Sequence, residues 1–183
     1  ATRVYLDSGS RDGSEKDPTI EALGMGGQIY GARASLIVLD DCVTLANATE
    51  WPKQMDWIRQ EVASRLGPGG QLLVVGTRVA PTDLYSELRN PEHYTDGKVP
   101  WSYLSMPAVL QYEENPLDWE TLWPVSDEPF ADGDEPDDNG HYPRWTGDRL
   151  ASVRNEVGPR KWSLVYMNQD IAEESTFDSV AVR

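Results

Sequence analysis

The stretch ASLIVLDDCVTL, residues 34–45, runs an almost wholly aliphatic segment, SLIVL, into two adjacent aspartates, Asp40 and Asp41. A continuous aliphatic run of this kind, without polar alternation, has the pattern of a strand buried on both faces, as in a parallel sheet. Downstream, Thr49 can cap a helix, Pro52 is tolerated in its first turn, and Met55, Ile58, Val62 and Leu66 recur at helical spacing. The GPGG at 67–70 is expected to stop that helix, and QLLVV at 71–75 reads as a second buried strand. Strand, helix and strand in roughly 40 residues predict a βαβ crossover, which makes the two strands parallel.

Around this unit the pattern is less regular. TRVYL at 2–6 reads as a short strand, followed by a polar loop rich in turn residues, and residues 28–30 read as a strand between glycine turns. TDLYSEL from Thr82 predicts a second capped helix, MPAVLQY at 106–112 a strand, and residues 146–157 and 161–169 helical segments. No internal repeat is visible. The class expected is α/β, with a mostly parallel sheet flanked by helices.

The chain has 183 residues and 39% hydrophobic content, enough for a core of about one domain. No apolar run approaches the roughly 18 residues of a membrane span, and the N-terminus lacks the pattern of a signal peptide, so a soluble, non-secreted protein is expected. Cys42 is the single cysteine, which excludes an intrachain disulfide and a CxxC metal site. The formal charge of -15 is unfavourable for phosphate binding, which rests on Lys and Arg. Eleven of the acids, however, lie between Glu113 and Asp138 with no basic residue among them, and the remainder carries only -4. The acidity is regional, with residues 125–140 forming an acidic loop, and a DNA-handling role for the rest stays open.

In an open parallel sheet, ligands bind at the carboxyl ends of the strands. Asp40 and Asp41 end one strand; Gly76, Thr77 and Arg78 follow the next, on the same expected edge. Two acids after an aliphatic strand suit a nucleotide-hydrolysing site: the first holds magnesium, and the second orients the water that attacks the γ-phosphate. A polar group on the neighbouring strand is placed to sense that phosphate. The companion phosphate loop, GxxxxGK[ST], does not occur in these residues; Gly97-Lys98 is followed by Val99 and lacks the upstream glycine. The expectation is that a phosphate loop precedes Ala1 in a longer chain, or that these residues are not a complete ATPase.

Several blocks of the sequence resemble the ATPase domain of the large terminase subunit of tailed bacteriophages. GGQIYGARASLIVLDD at 26–41 is similar to that family's glycine-rich approach and Walker B strand. SRLGPGGQLLVVGTRVAPTDLYSEL at 64–88 resembles its next block. Leu122-Trp123-Pro124 and GDRLASVRNEVGPRKWSLVYMNQDIAEESTF at 147–177 resemble the end of the motor domain. The blocks occur in the family's order across roughly residues 19–177.

The resemblance implies a P-loop NTPase-like fold, here incomplete, with residues 1–183 as the later part of the ATPase domain and the family's nuclease expected after Arg183. It implies ATP and Mg2+ as cofactors, Asp40 as the magnesium-binding acid and Asp41 in the place of the catalytic acid, which is usually glutamate. Gly76, Thr77 and Arg78 would form the motif coupling γ-phosphate loss to DNA movement, Gly76 and Thr77 meeting the nucleotide and Arg78 acting catalytically. The partners implied are double-stranded DNA, a portal protein, a small terminase subunit and further copies in a homo-oligomeric ring, with no membrane, in the host cell cytoplasm during virion assembly.

Other residues carry less. Arg33 and Arg65 can be arginine fingers or ordinary surface ion pairs, and the second is the general behaviour of exposed charge. Cys42 reads as a small buried filler. His93 and His141 lack ligand spacing and read as surface residues, DGDEPDD lacks the order of a calcium loop, and most of the seven tryptophans read as packing. Two alternatives remain: an RNase H-like, metal-dependent nuclease using Asp7, Asp40 and Asp41, and a non-catalytic fragment that only binds partners.

Overall fold

The computed structural model describes residues 2–5, 9, 17–25, 27 and 33–170. They form a mixed α/β structure that divides into two compact units, Ala1–Gly76 with Thr82–His93, and Thr77–Pro81 with Tyr94–Arg183.

In the first unit, β1 (Thr2–Val4) pairs antiparallel with β2 (Ile20–Ala22), and Arg3 Nε donates to Glu21 Oε1 at 2.6 Å. The strand expected at 28–30 lies outside the described residues. The aliphatic run forms β3 (Ala34–Asp40), and QLLVV forms the end of β4 (Leu66–Val75). They pair in parallel, Leu36 with Gln71 through Asp40 with Val75, as the strand-helix-strand pattern predicts.

The connection is a continuous coil: a 3-10 turn at Ala48–Glu50, α1 (Trp51–Trp57), a π-helical stretch at Ile58–Val62 and a 3-10 turn at Ala63–Arg65. Met55, Ile58 and Val62 are buried, so the predicted apolar stripe faces the core. Leu66 leaves that stripe and pairs with Ala34 instead. The GPGG expected to separate helix from strand lies inside β4 as an irregularity. Leu66 and Gln71 are the partners of Ala34 and Leu36, only two residues apart. Pro68 has no N–H for the ladder and Gly69 adopts φ 75°, so the extra residues bulge out.

Burial on both faces does not hold. Ile37, Leu39, Leu72 and Val74 turn inward, while Leu36, Val38, Leu73 and Val75 are between 44% and 53% exposed. The pleat sends alternate residues to opposite faces, and one of the two is the more buried. The second helix, α2 (Leu84–Glu87), starts one residue later than expected: Asp83, not Thr82, is the cap, in a reciprocal capping box with Ser86. Asp83 and Leu84 are completely buried.

In the second unit, β5 (Val109–Gln111) pairs antiparallel with β6 (Glu120–Thr121), and β7 (Val125–Ser126) with β8 (Tyr142–Pro143). Then α3 (Gly147–Val157) leads through Gly158 into α4 (Pro159–Lys161) and a π-helical turn at Trp162–Tyr166. Val109, Leu150, Trp162 and Met167 form the core, and the Trp162 indole donates to the Tyr112 hydroxyl at 2.9 Å. The acidic loop between β7 and β8 is held by its own carboxylates. Asp137 accepts from the backbone N–H groups of Asn139 and His141, at 2.8 and 2.9 Å. Asp134 accepts from those of Phe130 and Ala131 and pairs with Arg149. Acids at these positions act as turn acceptors.

Candidate functional site

The parallel register sets Asp40 opposite Val75 at the carboxyl ends of β3 and β4. One residue further, the Asp41 N–H donates to the Val75 carbonyl at 3.0 Å, so the ladder extends past the strand. Asp41 does this at φ 44°, a left-handed conformation that costs most side chains on the order of 1 kcal/mol and that aspartate tolerates better than most. The turn swings the chain away from the sheet and leaves both carboxylates exposed.

The segment after the acids is tied down by side chains. Asn47 Oδ1 accepts from the Thr44 N–H at 2.7 Å and its Nδ2 donates to the Cys42 carbonyl at 3.1 Å. Gln54, buried in α1, donates to the Asn47 carbonyl at 3.0 Å. The Cys42 thiol is pushed up by burial first, and then by the negative charges of Asp40 and Asp41. Cys42 is therefore a poor nucleophile at neutral pH, in line with its reading as a small packing residue.

Tyr85, on α2, reaches the same place from the other side. Its hydroxyl accepts from the Val43 N–H and donates to the Val75 carbonyl, each at 3.4 Å. Burial above all raises its pKa to about 12, so it remains a protonated donor. Gly76 is needed here for space: a Cβ on it would overlap the phenol, with even the ring's Cε2 only 2.9 Å away.

Asp40, Asp41 and Gly76 are thus brought together at one end of the parallel pair. Thr77 and Arg78, which follow in sequence, belong to the second unit. Thr77 is exposed, whereas Arg78 is only 5% exposed. Its guanidinium donates to the carbonyls of Ala80 and Pro81 at 3.1 and 2.7 Å and to Asp170 Oδ1 at 2.8 Å.

Exposed carboxylate oxygens suit a magnesium ion, which takes one or two carboxylates and completes its shell with water and phosphate oxygens. Neither Asp40 nor Asp41 is held in an ion pair among the described residues. Among the described residues, no group of three or more His, Cys, Asp or Glu assembles to hold a metal unaided. The residues therefore fit a cation shared with a phosphate better than a closed protein cage. Asp7, the third acid of the nuclease alternative, lies outside the described residues.

His93 is not a free surface residue. Its Nε2 lies 2.5 Å from Glu87 Oε2, and its ring packs on Trp51 with centroids 5.3 Å apart. His141 is half exposed beside Asp127 and Asp137. Arg33 engages Asp17 through its backbone N–H at 3.3 Å, and Arg65 closes the turn before β4. Sequence reasoning missed Asn47, Gln54, Tyr85 and Asp170, whose roles come from partners distant in the chain or from loop geometry.

No protein-family model matches the chain. Among curated proteins it is similar to the large terminase subunit of Enterobacteria phage T3, 31% identical over 127 residues. The match takes in 66% of this chain and 20% of that relative, so the chain spans only about a fifth of the protein it matches. No helix among the described residues is long and apolar enough to cross a membrane.

Proposed function

We propose that this chain, a relative of the phage large terminase subunit, carries the acid pair and coupling segment of an ATPase that moves double-stranded DNA into a viral procapsid. The observation that carries the reading is the register of β3 and β4, which brings Asp40, Asp41 and Gly76 to one strand end, the usual ligand edge of a parallel sheet. In this proposal Asp40 holds Mg2+ and Asp41 accepts a hydrogen bond from the attacking water and orients it toward the γ-phosphate of ATP. Bound magnesium supplies charge neutralisation on the phosphate oxygens. Gly76 and Thr77 meet the nucleotide, and Arg78 transmits the loss of phosphate to the parts that grip DNA.

The DNA contacts are to the backbone and independent of sequence. A portal protein, a small terminase subunit and further copies of the same subunit in a ring are the assembly partners, in the host cytoplasm during virion assembly. The phosphate loop, absent from these 183 residues, comes from another part of the parent protein.

The test is hydrolysis and binding in the complete gene product. Asp41→Asn should lower kcat for ATP by at least about a hundredfold while nucleotide still binds. Asp40→Asn should raise the Mg2+ concentration needed for half-maximal rate. The 183-residue chain alone should show weak or undetectable ATP binding by calorimetry, and low-micromolar affinity there would mean that the phosphates sit elsewhere. Undiminished hydrolysis in the Asp41→Asn protein would remove the acid pair from the mechanism.

A further inference from the structure

Asp41 is held by one backbone hydrogen bond to Val75, and that carbonyl is also the acceptor for Tyr85. A carbonyl oxygen has two lone pairs, and a phenol can donate once while accepting; both capacities are used. The Tyr85 hydroxyl therefore bridges the loop that follows the acids, at the Val43 N–H, to the last residue of β4, at the Val75 carbonyl. Its ring fills the space beside Gly76, which no residue with a Cβ can share.

The origin of the bridge is equally specific. Tyr85 is the second residue of α2, whose start is fixed by the buried Asp83 and its box with Ser86, and by Leu84, which is fully buried. The phenol is thus presented by a short helix that cannot rotate freely. On the far side, Asn47 and Gln54 anchor the same loop to α1. Asp41, in its left-handed turn, sits between two anchors, and only the Tyr85 one leads into the Gly76 segment.

We infer that Tyr85 is a positioning residue: through its hydroxyl it fixes the Asp41 turn relative to the exit of β4 at Gly76, and so sets the aim of the acid at the attacking water. This rests on the proposed ATPase reading. A phenol held between two backbone groups has no part in binding nucleotide, so its removal disturbs orientation and leaves affinity nearly unchanged.

The experiment uses the complete gene product and five variants. Tyr85→Phe keeps the ring and deletes the bridge; kcat for ATP should fall about tenfold with KM within about twofold. Hydrogen exchange of the Asp41 and Val43 amides should rise about tenfold, with the amides of Ile37 to Leu39 unaffected. Gly76→Ala, which displaces the phenol, should raise exchange of the same two amides, and pairing it with Tyr85→Ala should lower kcat by less than the product of the two single effects. Unchanged kcat or unchanged exchange in Tyr85→Phe, alongside Asp41→Asn that abolishes hydrolysis, overturns the inference and leaves the ATPase reading standing. Undiminished hydrolysis in Asp41→Asn overturns the reading itself and this inference with it.

Discussion

Arg78 and Asp170, 92 residues apart in the chain, meet in a two-pronged ion pair: Nη2 lies 2.8 Å from Oδ1 and Nη1 lies 3.3 Å from Oδ2. The guanidinium is buried, whereas the Asp170 side chain is 49% exposed. Removing the acid leaves a buried cation supported by the Ala80 and Pro81 carbonyls. Fully buried pairs cost about 3 to 5 kcal/mol to break, and solvent at Asp170 reduces that. Asp170→Ala should lower unfolding stability by about 1 to 2 kcal/mol in a denaturant titration. Arg78→Lys should not be tolerated better, because an ammonium cannot reproduce the fork to one carboxylate and two carbonyls.

The two faces of the parallel pair should respond differently to truncation. Leu39 is 5% exposed and Leu73 is 50% exposed. Leu39→Ala should cost about 2 to 4 kcal/mol, the range of a buried leucine, while Leu73→Ala should cost less than about 1 kcal/mol. Chemical denaturation of the chain measures both, and equal losses would show that the exposed face is covered.

Cys42 reports on the acids beside it. Burial, then Asp40 and Asp41, disfavour its thiolate. Alkylation by iodoacetamide at pH 8 should therefore be slower than for a free thiol, and Asp40→Asn should speed it at the same pH by removing one of the two charges. Because the folded pKa lies above the unfolded one, any stability this group contributes is present below the unfolded value, near 9, and is lost as pH rises through the folded value. A rate insensitive to Asp40→Asn would mean that the carboxylate points away from the thiol.

Acid should loosen the loop between β7 and β8 late rather than early. The Arg149 side chain, first among several causes, holds Asp134 below the usual carboxylate range. The His141 and Asn139 N–H groups do the same for Asp137. A depressed folded pKa contributes stability above the unfolded value, and that contribution disappears as pH falls through the folded one. The His141 amide resonance should thus stay constant down to about pH 4 and shift only below it. Asp137→Asn should remove the transition, and a midpoint above pH 5 would contradict the hydrogen bonding of Asp137.

Much of the first unit was legible because local rules and the tertiary fold agree there. The SLIVL and QLLVV runs, with an amphipathic segment between them, leave a parallel crossover as the simplest solution, and the acids necessarily fall at its end. The boundaries were less legible. GPGG reads as a stop in any local view, yet β4 absorbs it as a bulge because Leu66 gains a partner in Ala34. Thr82 and Asp83 are both good caps, and burial of Asp83 with Ser86 chose between them.

The amino-acid order by itself determined that two strands run parallel and that Asp40 and Asp41 stand where the first one ends, since hydrophobic period and chain connectivity are local properties. Tertiary structure alone decided that one face of those strands is exposed, that Asp41 turns left-handed under the Val75 carbonyl, that Tyr85 meets the loop after Asp41, and that Asp170 meets Arg78. Those outcomes depend on which groups arrive at van der Waals or hydrogen-bond distance after folding. Such meetings join residues tens of positions apart, where neither spacing nor propensity carries a signal.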